Sequence, residues 1–109
     1  MTDVLKPLGQ VAPSATTETD LYTVPDSVMT TVSSFVVCNR AGTSGSFRLS
    51  VSAGGGATAN KDYLAYDKAI DANDYITLVI GITIKESDVV RVYASSGDMS
   101  FNLFGVETS

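Results

Sequence analysis

Ser46-Phe47-Arg48-Leu49-Ser50-Val51-Ser52 alternates without a fault, with Phe47, Leu49 and Val51 on one side and Ser46, Arg48, Ser50 and Ser52 on the other. Successive side chains of an extended strand point to opposite faces, so this period of two describes a sheet with one dry face and one wet face. No stretch of useful length follows a helical period instead.

Strands follow one another outward from this segment. Val28–Asn39, rich in Val and Thr, reads as a long central strand, joined to the alternating segment by a hairpin loop at Ala41-Gly42-Thr43-Ser44-Gly45. On the other side, Gly54–Asn60 reads as a flexible loop before a strand at Tyr63–Ala69. Tyr75–Ile84 places Ile76, Leu78, Ile80, Ile82 and Ile84 on one face. That stripe is expected at the centre of the core, each buried side chain contributing about 1.5–3 kcal/mol. Val89–Ser95 and Met99–Val106 read as a last hairpin around Ser96-Gly97-Asp98, and Asp20–Val24 as a short strand ended by the turn at Pro25-Asp26-Ser27. The expected fold is all-β, an antiparallel β-sandwich, jelly-roll-like, of about eight strands.

The first sixteen residues differ from the rest. Pro7 and Pro13 interrupt any helix, while Val4, Leu5, Leu8 and Val11 are apolar and spaced. Residues 1–16 read as an extended N-terminal arm that reaches roughly 50 Å when fully stretched. Val4, Leu5, Leu8 and Val11 are then its anchor on a neighbouring subunit, where the arm can add as a strand. The alternative is an edge strand on its own domain. Residues 17–109 form the β-sandwich domain.

Composition narrows the function. A chain of 109 residues makes one domain and can bury a real core without metals or disulfides. Its net charge of −5 and scattered basic residues argue against nucleic acid, whose phosphates call for clustered Lys and Arg. The apolar run from Thr77 to Ile84 is too short for membrane insertion, and Met1-Thr2-Asp3-Val4 lacks the features of a secretory signal. The single cysteine, Cys38, allows no internal disulfide and reads as a small buried hydrophobe in an apolar strand.

Candidate chemistry is sparse. Histidine is absent, which removes His-based nucleophile systems and His-ligated metals. Gly54–Gly56 ahead of Lys61 has the wrong spacing for a phosphate loop and is followed by a strand. Asp62, Asp67, Asp71 and Asp74 are the one acidic cluster, but they lack the ligand order and glycine of an EF-hand; Asp71 and Asp74 fit a turn better. A two-carboxylate hydrolase using Asp67 and Asp71 needs a cleft around the pair. No catalytic, metal-binding or cofactor-binding residue is assigned. Tyr22, Tyr63, Tyr66, Tyr75 and Tyr93 are dispersed and fit core or interface packing better than a sugar-stacking platform. Arg40, Arg48 and Arg91 read as a solvated face or as cross-strand partners of aspartates.

Several phrases carry a resemblance. They are Leu8-Gly9-Gln10-Val11-Ala12-Pro13-Ser14-Ala15-Thr16-Thr17, Asp20-Leu21-Tyr22-Thr23-Val24-Pro25, Val32–Arg40, Phe47-Arg48-Leu49-Ser50-Val51, Lys61-Asp62-Tyr63-Leu64, Gly81-Ile82-Thr83-Ile84, Asp88–Ala94 and Ser100–Glu107. Together they resemble a family of small virion proteins of tailed bacteriophages, including marine and cyanobacterial phages. At Pro25-Asp26-Ser27-Val28 the chain departs from that family, whose members often show a glycine turn there. The resemblance implies a non-enzymatic particle component made in the host cytoplasm: a head decoration, neck, tail-fibre or baseplate protein. Its expected partners are other virion proteins and further copies of itself, a trimer being favoured. A second reading is a receptor-recognition module that binds host-surface glycan through the loops Gly42–Gly45, Gly54–Asn60 and Ser95–Asp98.

Overall fold

A computed structural model describes residues 2–109; Met1, the first residue of the expected arm, lies outside them. The described residues form nine strands: β1 (Asp3–Val11), β2 (Thr19–Thr23), β3 (Met29–Asn39), β4 (Gly45–Ser52), β5 (Tyr63–Ile70), β6 (Tyr75–Leu78), β7 (Ile82–Lys85), β8 (Val89–Ala94) and β9 (Met99–Thr108). Single 3₁₀ turns at Ala53–Gly55 and Asn60–Asp62 lie between β4 and β5. Sheet A has the order β1-β9-β3-β6, with β7 also on β3, and sheet B the order β2-β8-β4-β5. All pairings are antiparallel.

The pairing β1 with β9, β2 with β8, β3 with β6 and β7, and β4 with β5 is that of one long hairpin rolled up. Partner residues such as Asp3 and Thr108, Thr19 and Val92, Phe35 and Leu78, and Leu49 and Ala65 have midpoints within about two positions of Gly56. Most connections therefore cross from one sheet to the other, and the architecture is a jelly-roll β-sandwich.

Three expectations change. Ser96-Gly97-Asp98 and Ala41–Gly45 do not close hairpins, because each joins strands of different sheets. The stripe from Tyr75 to Ile84 is not the centre of the core. It is an edge broken into β6 and β7 at Gly81, whose φ of +45° suits glycine. Of its aliphatics only Ile84 is fully enclosed, while Ile76, Leu78, Ile80 and Ile82 pack on the core's margin. The third concerns residues 1–16. Asp3–Val11 is hydrogen-bonded along β9 and belongs to the sandwich as an edge strand. A Cβ on Gly9 would collide with the carbonyl of Leu21, so β1 also lies hard against β2 of the other sheet. Deleting residues 2–12 would strip β9 of one ladder instead of freeing a tether.

The centre of the core is aromatic. Phe35 and Phe101 of sheet A and Phe47 of sheet B are fully buried, with ring centroids 5.8–6.2 Å apart. Val32, Val37 and Leu103 from one sheet and Leu49, Val90 and Val92 from the other complete the contact. Ser27, at φ 62° in the turn after Pro25, holds a left-handed conformation that glycine adopts without steric strain.

Buried polar groups seal the two ends of the sandwich. At one end Asn39 donates from Nδ2 to the carbonyls of Thr43 (3.0 Å) and Asp71 (3.1 Å) and accepts from the amide of Ala41 (3.0 Å). At the other, Asp88 accepts from the amides of Gly54 (2.8 Å) and Lys85 (3.0 Å). Near that end the Tyr22 hydroxyl bonds Thr30 Oγ1 (2.7 Å) and donates to Glu107 Oε2 (2.6 Å), and Lys6 Nζ lies 2.9 Å from Glu107 Oε1. This chain of contacts ties β2 of sheet B to β1, β3 and β9 of sheet A.

Two predictions follow from this interior. Phe47→Ala empties the middle of the aromatic cluster and should cost about 3–5 kcal/mol, a large share of the roughly 5–15 kcal/mol that holds a domain folded. Urea unfolding followed by far-UV circular dichroism measures it, and a loss below about 1 kcal/mol would contradict the assigned centre. The second concerns pH. The Tyr22 hydroxyl, then Lys6, hold Glu107 below the usual carboxylate range, so its contribution is present above the unfolded carboxylate pKa and is lost as pH falls through the lowered folded value. Burial, then Glu107, push Tyr22 up to about 12. Its contribution is present below the ordinary tyrosine pKa of about 10 and is lost as pH rises from there through the folded value. Tyr22→Phe should therefore be less stable than the native chain by about 1–3 kcal/mol at neutral pH, and the gap should close above pH 10. A gap independent of pH in equilibrium unfolding would refute the network.

Candidate functional site

The two outer faces differ in chemistry because the residues alternating with the core differ. On sheet A, the outward rows are Leu5, Val106, Thr31 and Thr83; Pro7, Phe104 and Ser34; Gln10, Asn102, Val36 and Thr77; and Ser100, Cys38 and Tyr75. None of these carries a charge. Leu5 is 79% exposed, and Phe104, Val106 and Val36 are half-buried. Among the described residues charge enters only at the ends of the face, with Asp3 and Lys85 at one and Arg40, bonded to Ser100, at the other. Cys38 is half-buried on this outer face and not in the core, because Val37 and Asn39 take the inward positions.

The four expected anchor residues separate. Leu5 points outward into the uncharged face. Val4 stands on the inner side of β1 at the rim, 46% exposed, and Leu8 and Val11 pack against the core of their own domain. The free edge of β1 is poorly suited to strand addition: Pro7 has no N–H to donate, Lys6 is charged, and the register shifts between Pro7 and Gly9.

Sheet B carries the charges and most of the tyrosines. Its register puts Arg48 beside Tyr93. On the other side a β-bulge opposes Tyr66 and Asp67 to Arg48 alone, since Phe47 pairs Lys68 and Leu49 pairs Ala65. Asp67 sits at φ 50° within it, and the extra residue re-aims both side chains, as bulges do. The guanidinium carbon of Arg48 lies 4.2 Å from the ring centroids of both Tyr66 and Tyr93, and its Nε is 2.7 Å from Asp67 Oδ1. Asp67 thereby raises the Arg48 pKa further, and the group stays cationic. Tyr63 meets Tyr66 edge to face, centroids 4.8 Å apart at 81°. With Asn60 these two rings line a hollow of about 240 Å³.

Sequence dispersion hid this cluster. Three of the five tyrosines converge; Tyr22 is in the interior network and Tyr75 is on sheet A. Of the three arginines read as a solvated face or as cross-strand partners of aspartates, Arg48 and Arg91 pair with Asp67 and Asp20, while Arg40 bonds Ser100 and Gly97 instead. Arg91 also holds the loop after β4, donating to the carbonyls of Gly56 (2.7 Å) and Gly55 (3.2 Å) and to Thr58 Oγ1 (3.0 Å). Ser52 Oγ donates to Gly56 as well (2.6 Å). The loop expected to be floppy is thus strapped to the sheet, and it covers Ser50 and Ser52, which are buried despite facing outward. The three loops expected to share a glycan site lie at opposite ends: Gly42–Gly45 and Ser95–Asp98 together, Gly54–Asn60 with Asp88 at the other.

The acidic cluster also disperses. Asp62 caps its 3₁₀ turn by accepting from the amide of Ala59 (2.8 Å); this bond, then Lys61, hold its carboxyl below the usual range. Asp67 pairs with Arg48, and Asp74 accepts from the amide of Tyr75 (2.8 Å). Among the described residues no three metal-ligating side chains gather. No protein-family model matches the chain, and no curated protein matches it.

The Arg48 clamp contributes little to stability. Exposed cation–π contacts and an exposed ion pair supply roughly 0.5–1 kcal/mol each, against about 2 kcal/mol of arginine rotamer entropy. Its effect is to order the rings. Arg48→Ala should leave stability within about 1 kcal/mol of the native value while Tyr66 and Tyr93 gain ring motion in aromatic ¹³C relaxation. Unchanged ring dynamics would show that the clamp orders nothing.

Proposed function

We propose that the chain is a non-enzymatic structural component of a tailed-phage particle that docks, face to face, onto neighbouring particle proteins and further copies of itself. The observation that carries this reading is the outer face of sheet A, whose central rows hold Leu5, Pro7, Phe104, Val106 and Val36 and no charge. A sheet face that met only water would alternate to charged residues, as sheet B does; depletion of charge at the centre of a patch is the mark of an interface core. Arg40, Asp3 and Lys85 at the ends of the face supply the polar rim. The resemblance to small virion proteins supports the same reading, and jelly rolls build many viral shells.

Docking then uses the face of the N-terminal strand and not a loose arm. Leu5 is the one anchor residue that projects into the docking face, while the Pro7–Gly9 irregularity keeps the strand's edge from pairing indiscriminately. Copies assemble about a symmetry axis, a trimer being the favoured state, each contact burying about 800 Å² per partner if it is of standard size. Asp67 is engaged by Arg48, which argues against the carboxylate-pair hydrolase.

The test places charge in the face without touching the core. Leu5→Glu combined with Thr31→Glu alters two exposed positions that flank Val106 in one row of the face. Light scattering should give a trimer mass for the native chain and a monomer mass for the folded double variant. Mass spectrometry of purified particles of the encoding virus should find the native chain and not the variant. A monomeric native chain that is also missing from particles would overturn the proposal.

A further inference from the structure

The corner made by Tyr63 and Tyr66 on the outer face of sheet B has properties that the assembly role does not use. Tyr66 is 58% exposed, yet its ring is held on one side by Arg48 and buttressed at a right angle by Tyr63. An exposed aromatic ring would ordinarily sample several rotamers. Here a cation, an ion pair and a second ring fix it before any ligand arrives, which lowers the ordering cost of binding. Among the described residues, the hydroxyls of Tyr63 and Tyr66 and the side-chain amide of Asn60 take part in none of the hydrogen bonds of the surrounding network. They remain free to donate and accept.

We propose that the hollow between Asn60, Tyr63 and Tyr66 binds a neutral pyranose. The apolar face of the sugar ring stacks on Tyr66, its edge rests against Tyr63, and its hydroxyls exchange hydrogen bonds with the Asn60 amide and the tyrosine hydroxyls. The volume of about 240 Å³ is below the range of drug-sized pockets and fits a single small ring. Charge selects among sugars. The Arg48 cation is covered on both sides by rings and compensated by Asp67, and Lys61 is paired with Asp62. With a net chain charge of −5, no uncompensated cation faces the hollow to receive a carboxylate or phosphate, so uronates and sialic acids are disfavoured.

The site lies on the sheet opposite the docking face and stands or falls independently of it. One shallow hollow binds a single sugar weakly, and if copies assemble as proposed above, their number raises the avidity for a repeating polymer. The test is saturation-transfer NMR of the full chain with glucose, galactose, mannose and N-acetylglucosamine, each at millimolar concentration, and with glucuronic and sialic acids in parallel. Neutral sugars should show transfer, with acidic sugars weaker. Tyr66→Ala should weaken the transfer by about tenfold in apparent affinity, and Asn60→Ala should weaken it too. Tyr75→Ala, which removes an exposed tyrosine from the other sheet, should leave it unchanged, and circular dichroism confirms that each variant is folded. Absence of transfer from every neutral sugar, preference for the acidic sugars, or equal binding by folded Tyr66→Ala would each overturn the proposal.

Discussion

The structure depends on one contact plane, where Phe35 and Phe101 of one sheet meet Phe47 of the other. Neither sheet can exist alone with such a face in water, since each fully buried phenylalanine, leucine or valine contributes about 1.5–3 kcal/mol only when the opposing sheet is present. Both sheets must therefore form together, and the chain has to cross repeatedly between them. The rolled-hairpin topology meets this demand with pairings centred near Gly56. The loop at that centre is correspondingly the best secured, by Asp88, Arg91 and Ser52.

A sandwich closed by two sheets has open ends, and its hydrophobic filling does not cover them. Asn39, Asp88 and the Tyr22–Thr30–Glu107–Lys6 chain do that work. Asn39, Asp88, Tyr22 and Thr30 are buried, Glu107 is half-buried and Lys6 reaches it from the exposed edge, and no buried side-chain polar atom is left without a partner among the described residues. Leaving one such group unpaired costs about 1–3 kcal/mol, so these positions tolerate less change than their polarity implies. They also explain why the crossing loops need little regular structure of their own: a single asparagine holds two of them at once.

The period-two reading succeeded where local alternation is the whole signal. Phe47 and Leu49 are inward, Arg48 is outward, and strands occur close to the expected places. Alternation assigns faces and does not assign neighbours. For that reason alternation alone points the Ile76–Ile84 stripe, the most aliphatic in the chain, to the centre, whereas it forms a broken edge. The short loops at Ala41–Gly45 and Ser96–Asp98 have the composition of hairpin turns yet bridge sheets; a compact turn has the same composition in both settings. The tyrosine cluster was invisible for a further reason. Tyr63, Tyr66 and Tyr93 meet only through the β8–β4–β5 register and a bulge, and a bulge at Tyr66-Asp67 leaves no periodic trace beyond one skipped position. Gly9 and Leu5 illustrate the same limit at the N-terminus, where an edge strand and a free arm have identical composition.

The asymmetry between the faces follows from the core arrangement and bears on evolution of the surface. Both sheets satisfy the same interior, so their outward residues are free to diverge, and they have diverged completely: the middle rows of sheet A lack charge, while sheet B is laced with the Arg48–Asp67 and Arg91–Asp20 pairs. Such pairs also act as a barrier to unwanted association, because covering them with an apolar partner would desolvate ions at a cost of several kcal/mol. An uncharged face imposes no such barrier. In the proposed assembly role the uncharged sheet meets the neighbours while the charged sheet stays wet, and a subunit with that division is held without hiding the tyrosine corner.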